Sequence, residues 1–304
     1  MSRGEGGKLG SGIASSPNTN ESASDDPLGK VAATLNVRLV EAADGWHLRV
    51  FSWMPTDEAA AARRPLLFVA GWTSVVEGWK PLLRAWVEQR PIHYIETREK
   101  KKTEPPEGHR ERKTDFGIEQ HVADLAAIST LLVEDIETCD WYASSLGSTA
   151  LIEGFKNGTI RGRSAFLLAP NAAFKFPTWG VPLTYLPWWF YPPVIRIIIL
   201  PYLKIKLKER GQYIRYSRTL RAAHMSRLKK CTLMARGYSM WGGLEAVDVP
   251  CAIVIAESDS LHGHGDALRI AKELPRGEVI EVESNQWAHE SAVIGLAESW
   301  QDSV

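Results

Sequence analysis

The chain predicts an α/β domain, a mainly parallel, doubly wound sheet that opens on an antiparallel hairpin and carries an insertion after its sixth strand. Three observations lead there. Short apolar runs alternate with helical periodicities along most of the chain. Several of those runs are apolar throughout, as in strands covered on both faces. One long stretch, residues 171–240, breaks the alternation with no strand of its own.

Residues 1–30 are Gly, Ser, Asn and Asp with few large apolar side chains. They cannot bury enough surface to offset chain entropy, so a disordered tail is expected. The tail has no apolar run of a secretory signal, and its acidic residues argue against a transit peptide. From Thr34 to Glu41, Leu35, Val37 and Leu39 alternate with polar residues; Asp44-Gly45 supplies a turn, and alternation resumes from His47 to Trp53. That is a hairpin. Pro65 to Gly71 is a buried strand closed by glycine, Gly78 to Val87 a helix, and Ile92 to Glu96 the next strand. The segment Glu96-Thr97-Arg98-Glu99-Lys100 follows the fourth strand and leads into a run of charge; it could face the site, but a solvated loop is the preferred reading. A helix follows with Ile118, Val122, Leu125 and Leu132 on one stripe.

After the strand ending at Ala143 and its helix, Ser164 to Ala169 is another apolar strand. Cys251 to Ala256 and Glu278 to Val282 are two more, with a helix from Asp266 to Leu274 between them and a last helix from Ser291 to Trp300. The expected organisation is a core of residues 31–170 and 241–304 around an inserted cap, residues 171–240.

Composition narrows the function classes. Lys plus Arg equals Asp plus Glu at 36 each in 304 residues, which argues against a general nucleic-acid binder. Three cysteines (Cys139, Cys231 and Cys251) lack Cys-x-x-Cys spacing, which fits a reducing, cytoplasmic setting and offers neither a disulfide framework nor a zinc site. Cys251 opens a buried strand and reads as core. His262-Gly263-His264 puts two histidines on a glycine loop without a third ligand nearby, too few for a metal. No cofactor is expected.

The chemistry centres on Trp141-Tyr142-Ala143-Ser144-Ser145-Leu146-Gly147-Ser148. It reads as a strand turning sharply into a helix with Ser145 at the apex. Such an elbow needs small residues two before and two after the serine, here Ala143 and Gly147. Frames centred on Ser144 or Ser148 would need Tyr142 or Leu146 to be small, and fail. A serine becomes a nucleophile only when a base takes its proton, and the base needs an orienting carboxylate. In a doubly wound sheet such groups sit on loops at the carboxyl ends of strands. Asp259 follows the strand ending at Ala256, with Glu257 and Asp266 as alternatives; His289 follows the strand ending at Val282.

Over roughly residues 34–300 the sequence resembles the α/β-hydrolase superfamily. The resemblance rests on the elbow, the chain order Ser145, Asp259, His289, and Ala70-Gly71-Trp72-Thr73-Ser74 after a buried strand. It implies an α/β-hydrolase fold and a serine hydrolase with an acyl-enzyme intermediate. It also implies that the backbone N–H groups of Trp72 and Leu146 form an oxyanion hole, each worth roughly 3–4 kcal/mol in comparable acyl-transfer sites. The sequence departs from the family at Ala70, where a histidine is usual; bonds that brace that loop are then missing or supplied elsewhere. An acyltransferase using the same triad, and a non-catalytic homologue that binds a lipid or a partner, remain alternatives.

Between Phe176 and Ile195 there is no charged residue, and the stretch holds Trp179, Tyr185, Trp188, Trp189, Phe190 and Tyr191. Five prolines argue against one spanning helix. From Lys204 to Lys230 the chain is strongly basic, and Glu209 is the one acidic side chain between Asn171 and Met240. Two readings stand. The stretch is either an insertion that buries its aromatics and solvates its cations, or a lid over an apolar acyl pocket whose basic face meets anionic headgroups or an acidic substrate. Both can hold together. An ester with an apolar acyl group, lipid-like, is the expected substrate.

Overall fold

A computed structural model describes residues 26–256 and 263–304. One eight-stranded sheet runs β1 (Ala33–Glu41), β2 (His47–Pro55), β4 (Ile92–Ile95), β3 (Leu66–Val69), β5 (Asp140–Ser144), β6 (Ser164–Leu168), β7 (Cys251–Ala256) and β8 (Gly277–Val282) in spatial order. β1 and β2 form the expected antiparallel hairpin, with Ala33 opposite Pro55 and Glu41 opposite His47. β2 is antiparallel to β4, and every later pair is parallel. All four residues of β3 and of β4, and all five of β5 and of β6, are buried, as in strands covered on both faces, and the polar His93, Asp140 and Ser164 among them have side-chain partners inside.

A single helical turn, α1 (Glu58–Ala61), follows β2, and longer helices cover both faces. α3 (Ile118–Leu132), α4 (Leu146–Lys156) and α9 (His264–Glu273) share one core with Trp46 and Trp141. α2 (Lys80–Trp86) and α10 (Ala292–Ser303) share the opposite one, with Trp53, Phe68 and Tyr142. The stripe of α3 faces its core through Ile118, Val122, Leu125 and Ile128. In β1 the alternation holds at Leu35 and Val37, which pack on the second core, but Leu39 is exposed and Val40 turns into the first.

Two expectations are corrected. Of the tail foreseen over residues 1–30, residues 1–25 lie outside the described residues, while residues 26–30 pack onto the sheet. Leu28 is fully buried, and Asp26 accepts hydrogen bonds from Leu28 N and from the Trp53 indole. A single leucine with a carboxylate to receive an indole N–H is enough to dock a short segment that composition assigns to the tail. The loop after β4 is not solvated: Glu96, Thr97, Arg98, Glu99 and Lys100 are all buried, because each finds a partner inside.

Between β6 and β7 the chain is helical. α5 (Tyr191–Val194), a π-turn (Ile195–Ile199) and α6 (Leu200–Lys206) run on continuously, followed by α7 (Arg210–Ala222) and α8 (Met225–Ala235). Pro201 has no N–H to return to Ile197, and the helix widens into the π-turn just before it. The ends of this stretch meet, since Met240 N donates to Ala172 O at 2.8 Å. Among the described residues no helix is long and apolar enough to cross a membrane.

Candidate active site

Ser145 stands at the apex between β5 and α4 with φ 50° and ψ −111°. Among the described residues three non-glycine residues have positive φ: Thr73, Ser145 and Ala169. They follow β3, β5 and β6, three adjacent parallel strands, and all three line one cavity. Backbone held in that region costs about 1–3 kcal/mol per residue, and its concentration at one end of the sheet marks a functional site.

The elbow leaves no room for side chains on its neighbours. A Cβ on Gly147 would lie 2.5 Å from Val69 O, and one on Gly71 would lie 3.2 Å from the Ser145 Cβ. The loop Gly71–Ser74 therefore comes directly against the serine. Ser148 is not a competing nucleophile, because its hydroxyl is buried and donates to Leu168 O at 3.1 Å. Ser144 is the buried last residue of β5. Leu146 is the first residue of α4, where a backbone N–H has no acceptor within its own helix. Trp72 lines the cavity beside it.

His289 closes a short 3₁₀ turn after β8 and lines the same cavity as Ser145. Its ring stacks on Trp79 at 4.3 Å, and its Nδ1 lies 2.7 Å from Asn285 O. A carbonyl can only accept, so Nδ1 is the donor in this contact. Tyr142 steadies the turn by donating to Ala288 O at 3.0 Å. Asp259, with Glu257 and His262, lies outside the described residues. Asp266, the other acid considered, binds Lys175 Nζ at 2.6 Å. Among the described residues no group of three or more His, Cys, Asp and Glu side chains could hold a metal.

Four side chains to which the sequence reading gave no role here also contribute. Asn171, after β6, donates from Nδ2 to Ser145 Oγ at 3.1 Å; its place at a strand's carboxyl end was the available signal. Glu209, singled out as the lone acid of its stretch, accepts from Asn285 N at 3.1 Å and Gln286 N at 2.7 Å. It thus ties the helical stretch to the histidine turn. Glu99 and Lys100 reach the loop against the serine: Lys100 Nζ donates to Gly71 O at 2.6 Å, and Glu99 Oε1 accepts from Thr73 N at 3.0 Å. These supply bracing on a loop that has alanine at position 70. Burial alone would raise the Glu99 carboxyl's pKa, but Lys100 and His121 outweigh it and hold the group well below the ordinary range.

The cavity measures about 740 Å³. Its walls away from Ser145 are mainly apolar and come largely from the helical stretch, through Trp179, Tyr191, Ile195, Leu203 and Leu228, with Lys206 and Arg215 also on the lining. Such a space takes a small, mainly apolar ligand with a few polar groups at one end.

No family model and no curated protein matches the sequence. Solved structures do match by shape. An esterase from Thermogutta terrifontis is 13% identical with a TM-score of 0.66, covering 89% of this chain and 99% of its own. The naproxen esterase of Bacillus subtilis is 14% identical at TM-score 0.60, covering 93% and 96%. The enol-lactonase of Burkholderia xenovorans LB400 is 12% identical at 0.63, covering 88% and 97%. At these identities the likeness is one of fold, and together with the sheet order and the strand–serine–helix apex it gives the conclusion: this chain has the α/β-hydrolase fold.

Proposed function

We propose that this protein is a serine hydrolase that cleaves a carboxylic ester with an apolar acyl group. The observation that carries the reading is the strained Ser145 apex opening into a cavity that His289 also lines. Ser145 Oγ attacks the carbonyl, His289 Nε2 takes the proton and returns it to the leaving alcohol, and Asp259 holds the imidazolium. The N–H groups of Trp72 and Leu146 bind the oxyanion, as backbone donors preset for developing charge. Water then releases the acyl group by the same route in reverse. Residues 171–240 serve as a cap whose inner face holds the acyl chain. The names of the structural neighbours, two esterases and an enol-lactonase, agree with ester chemistry.

A fluorophosphonate probe tests the nucleophile: the native protein should label and Ser145→Ala should not. Labelling that survives in Ser145→Ala moves the nucleophile elsewhere, and an unlabelled native protein favours a binding role. On p-nitrophenyl esters kcat/KM should climb from acetyl to mid-length acyl chains, by up to about fourfold per methylene while the cavity fills. A preference for acetyl would remove the apolar pocket from the reading.

The cap's outer surface supports an anionic lipid surface as the place where that substrate is met. Trp189, in the turn before α5, and Pro193, Ile197, Pro201 and Ile205, along the continuous helix from α5 to α6, recur every four residues and are all exposed, Ile197 at 70% and Ile205 at 88%. Arg196, Lys204 and Lys208 stand exposed beside them. Residues 171–240 hold thirteen Lys and Arg against the single Glu209. An apolar stripe edged with cations suits anionic headgroups, whereas a second copy docked across a two-fold axis would set the cationic patch on itself. Co-sedimentation with phosphatidylserine-containing vesicles, weakened about tenfold or more by Ile197→Glu/Ile205→Glu, is expected. Binding that the double substitution leaves intact, or self-association in its place, would overturn it.

A further inference from the structure

We propose that Glu99 and Lys100 are positioning residues for the oxyanion hole, clamping the peptide group whose N–H belongs to Trp72. The inference rests on the ester-cleaving reading above and assigns a role to two buried charges which that reading leaves unused.

Peptide planarity makes the clamp directional. The carbonyl of Gly71 and the N–H of Trp72 belong to one planar trans group and point in opposite directions. Lys100 Nζ, by holding Gly71 O at 2.6 Å, fixes the direction in which Trp72 N–H points. One residue on, Glu99 Oε1 holds Thr73 N at 3.0 Å, at a residue whose φ of 54° leaves its backbone in a conformation that needs restraint. The two clamping side chains are themselves joined, Nζ to Oε1 at 2.9 Å. Both sides of the donor peptide are thereby tied to one buried ion pair, and a rigid donor is what oxyanion stabilisation requires.

The pair is anchored from three directions. Thr97 Oγ1 donates to Glu99 Oε1 at 2.9 Å from within the same loop. From α3, His121 Nε2 lies 3.2 Å from Glu99 Oε2, while its Nδ1 is 2.8 Å from Gly117 O. From α8, the buried Arg227 donates to the Lys100 carbonyl at 2.6 Å and to Thr103 O at 3.0 Å. Burying an ion pair brings little net stability, since desolvation offsets the attraction. Its retention against the loop that faces Ser145 is better explained by geometry than by stability. It also connects the cap, through Arg227, to the loop that carries the oxyanion donor.

The test compares Lys100→Met, Lys100→Arg and Glu99→Gln in the full chain on a p-nitrophenyl ester. Lys100→Met leaves Gly71 O with the Ser74 N–H as its remaining donor, a turn contact inside the same loop that does not tie it to the buried pair, and kcat should fall by about 10- to 100-fold while KM moves less than about twofold, because the lost interaction matters in the transition state. Affinity for an alkyl boronic acid, which mimics the tetrahedral adduct, should fall in parallel with kcat, and affinity for the product acid should not. Lys100→Arg, which keeps a donor, should recover part of the loss, and Glu99→Gln, which keeps an acceptor for Thr73 N, should lose less than Lys100→Met. An unchanged kcat in Lys100→Met overturns the clamp. So does a loss that tracks only the folded fraction, or one that falls on KM and on product affinity alike. Should Lys100→Met not fold, Glu99→Gln and Lys100→Arg decide by the same split, and native kcat in both overturns the proposal. A native protein that neither labels with fluorophosphonate nor turns over esters fails one step earlier, at the hydrolase reading itself.

Discussion

Gly147 sits where helix α4 comes directly against β3 at Val69. A methyl group there would lie 2.5 Å from Val69 O and 2.9 Å from Val69 Cγ1, and the nearer atom is backbone that cannot turn aside. The helix can admit an alanine only by backing away from β3, which drags Ser145 and the Leu146 N–H with it. Gly147→Ala should therefore cost about 1–3 kcal/mol of stability, as overpacking of a tight core does, and should slow fluorophosphonate labelling by a larger factor than it slows folding. Urea unfolding and labelling kinetics on the same preparation check both; an unperturbed midpoint would show that the helix has slack. The need for a small residue at 147 was legible in the sequence, because the steric rule for a strand–serine–helix apex is local. The partners of Glu99 and Lys100 were not. A pair of charges after a strand looks alike whether it meets water or a carbonyl brought from thirty residues away, and here the carbonyl is that of Gly71.

At the scale of elements, specific polar ties hold the helical stretch to the sheet domain, from Arg218, Arg227 and Lys230 as well as from Glu209. Glu209, at the N-cap of α7, takes two backbone N–H groups of the turn that carries His289. Close by, Gly211 lies so near Gln286 that a Cβ would sit 2.3 Å from its Oε1. A carboxylate accepting two N–H groups forms charge-assisted bonds, and removing it leaves both donors to find other partners. Glu209→Ala is expected to cost about 1–3 kcal/mol and to lower esterase kcat by loosening the histidine turn, with Glu209→Gln intermediate. Chemical unfolding and turnover on a short soluble ester test this, and a kcat equal to the native one would confine Glu209 to a structural tie. The sequence drew attention to Glu209 only as an exception in a basic stretch; what it binds lies more than seventy residues away.

For the whole molecule, one buried histidine gives a pH dependence with a defined sign. His93 lies in the middle of β4 with Ser52 Oγ at 2.8 Å, and burial, reinforced by Arg38, lowers its pKa from 6.5 to about 4. The folded state then keeps His93 neutral over a range in which the unfolded chain takes a proton. Its contribution is intact above pH 6.5, erodes as pH falls below that value and is fully lost by about pH 4. The linkage amounts to about 3 kcal/mol. Urea unfolding between pH 7 and pH 4 should show this slope, and His93→Gln should flatten it; an equal slope in the variant would assign the dependence to other groups. The Glu99 carboxyl acts at lower pH, since a depressed carboxyl contributes stability that is lost only as pH falls through its folded value.

The order of strands and helices along the chain, the apex at Ser145, the small residues at 143 and 147, and the place of His289 after the last strand were determined by the sequence alone. All of them follow from short-range rules: the period of two or of 3.6 in apolar residues, steric limits across a tight turn, and the position of polar residues just past a strand. Tertiary structure decided which charges are buried, that Asn171 reaches the Ser145 hydroxyl, that residues 26–30 dock on the sheet, and that Glu209 grips the histidine turn. The physical reason is the same in each case. The fate of a polar side chain depends on the partner another segment brings to it, and that partner is chosen by how the strands and helices pack, not by the residues beside it in the chain.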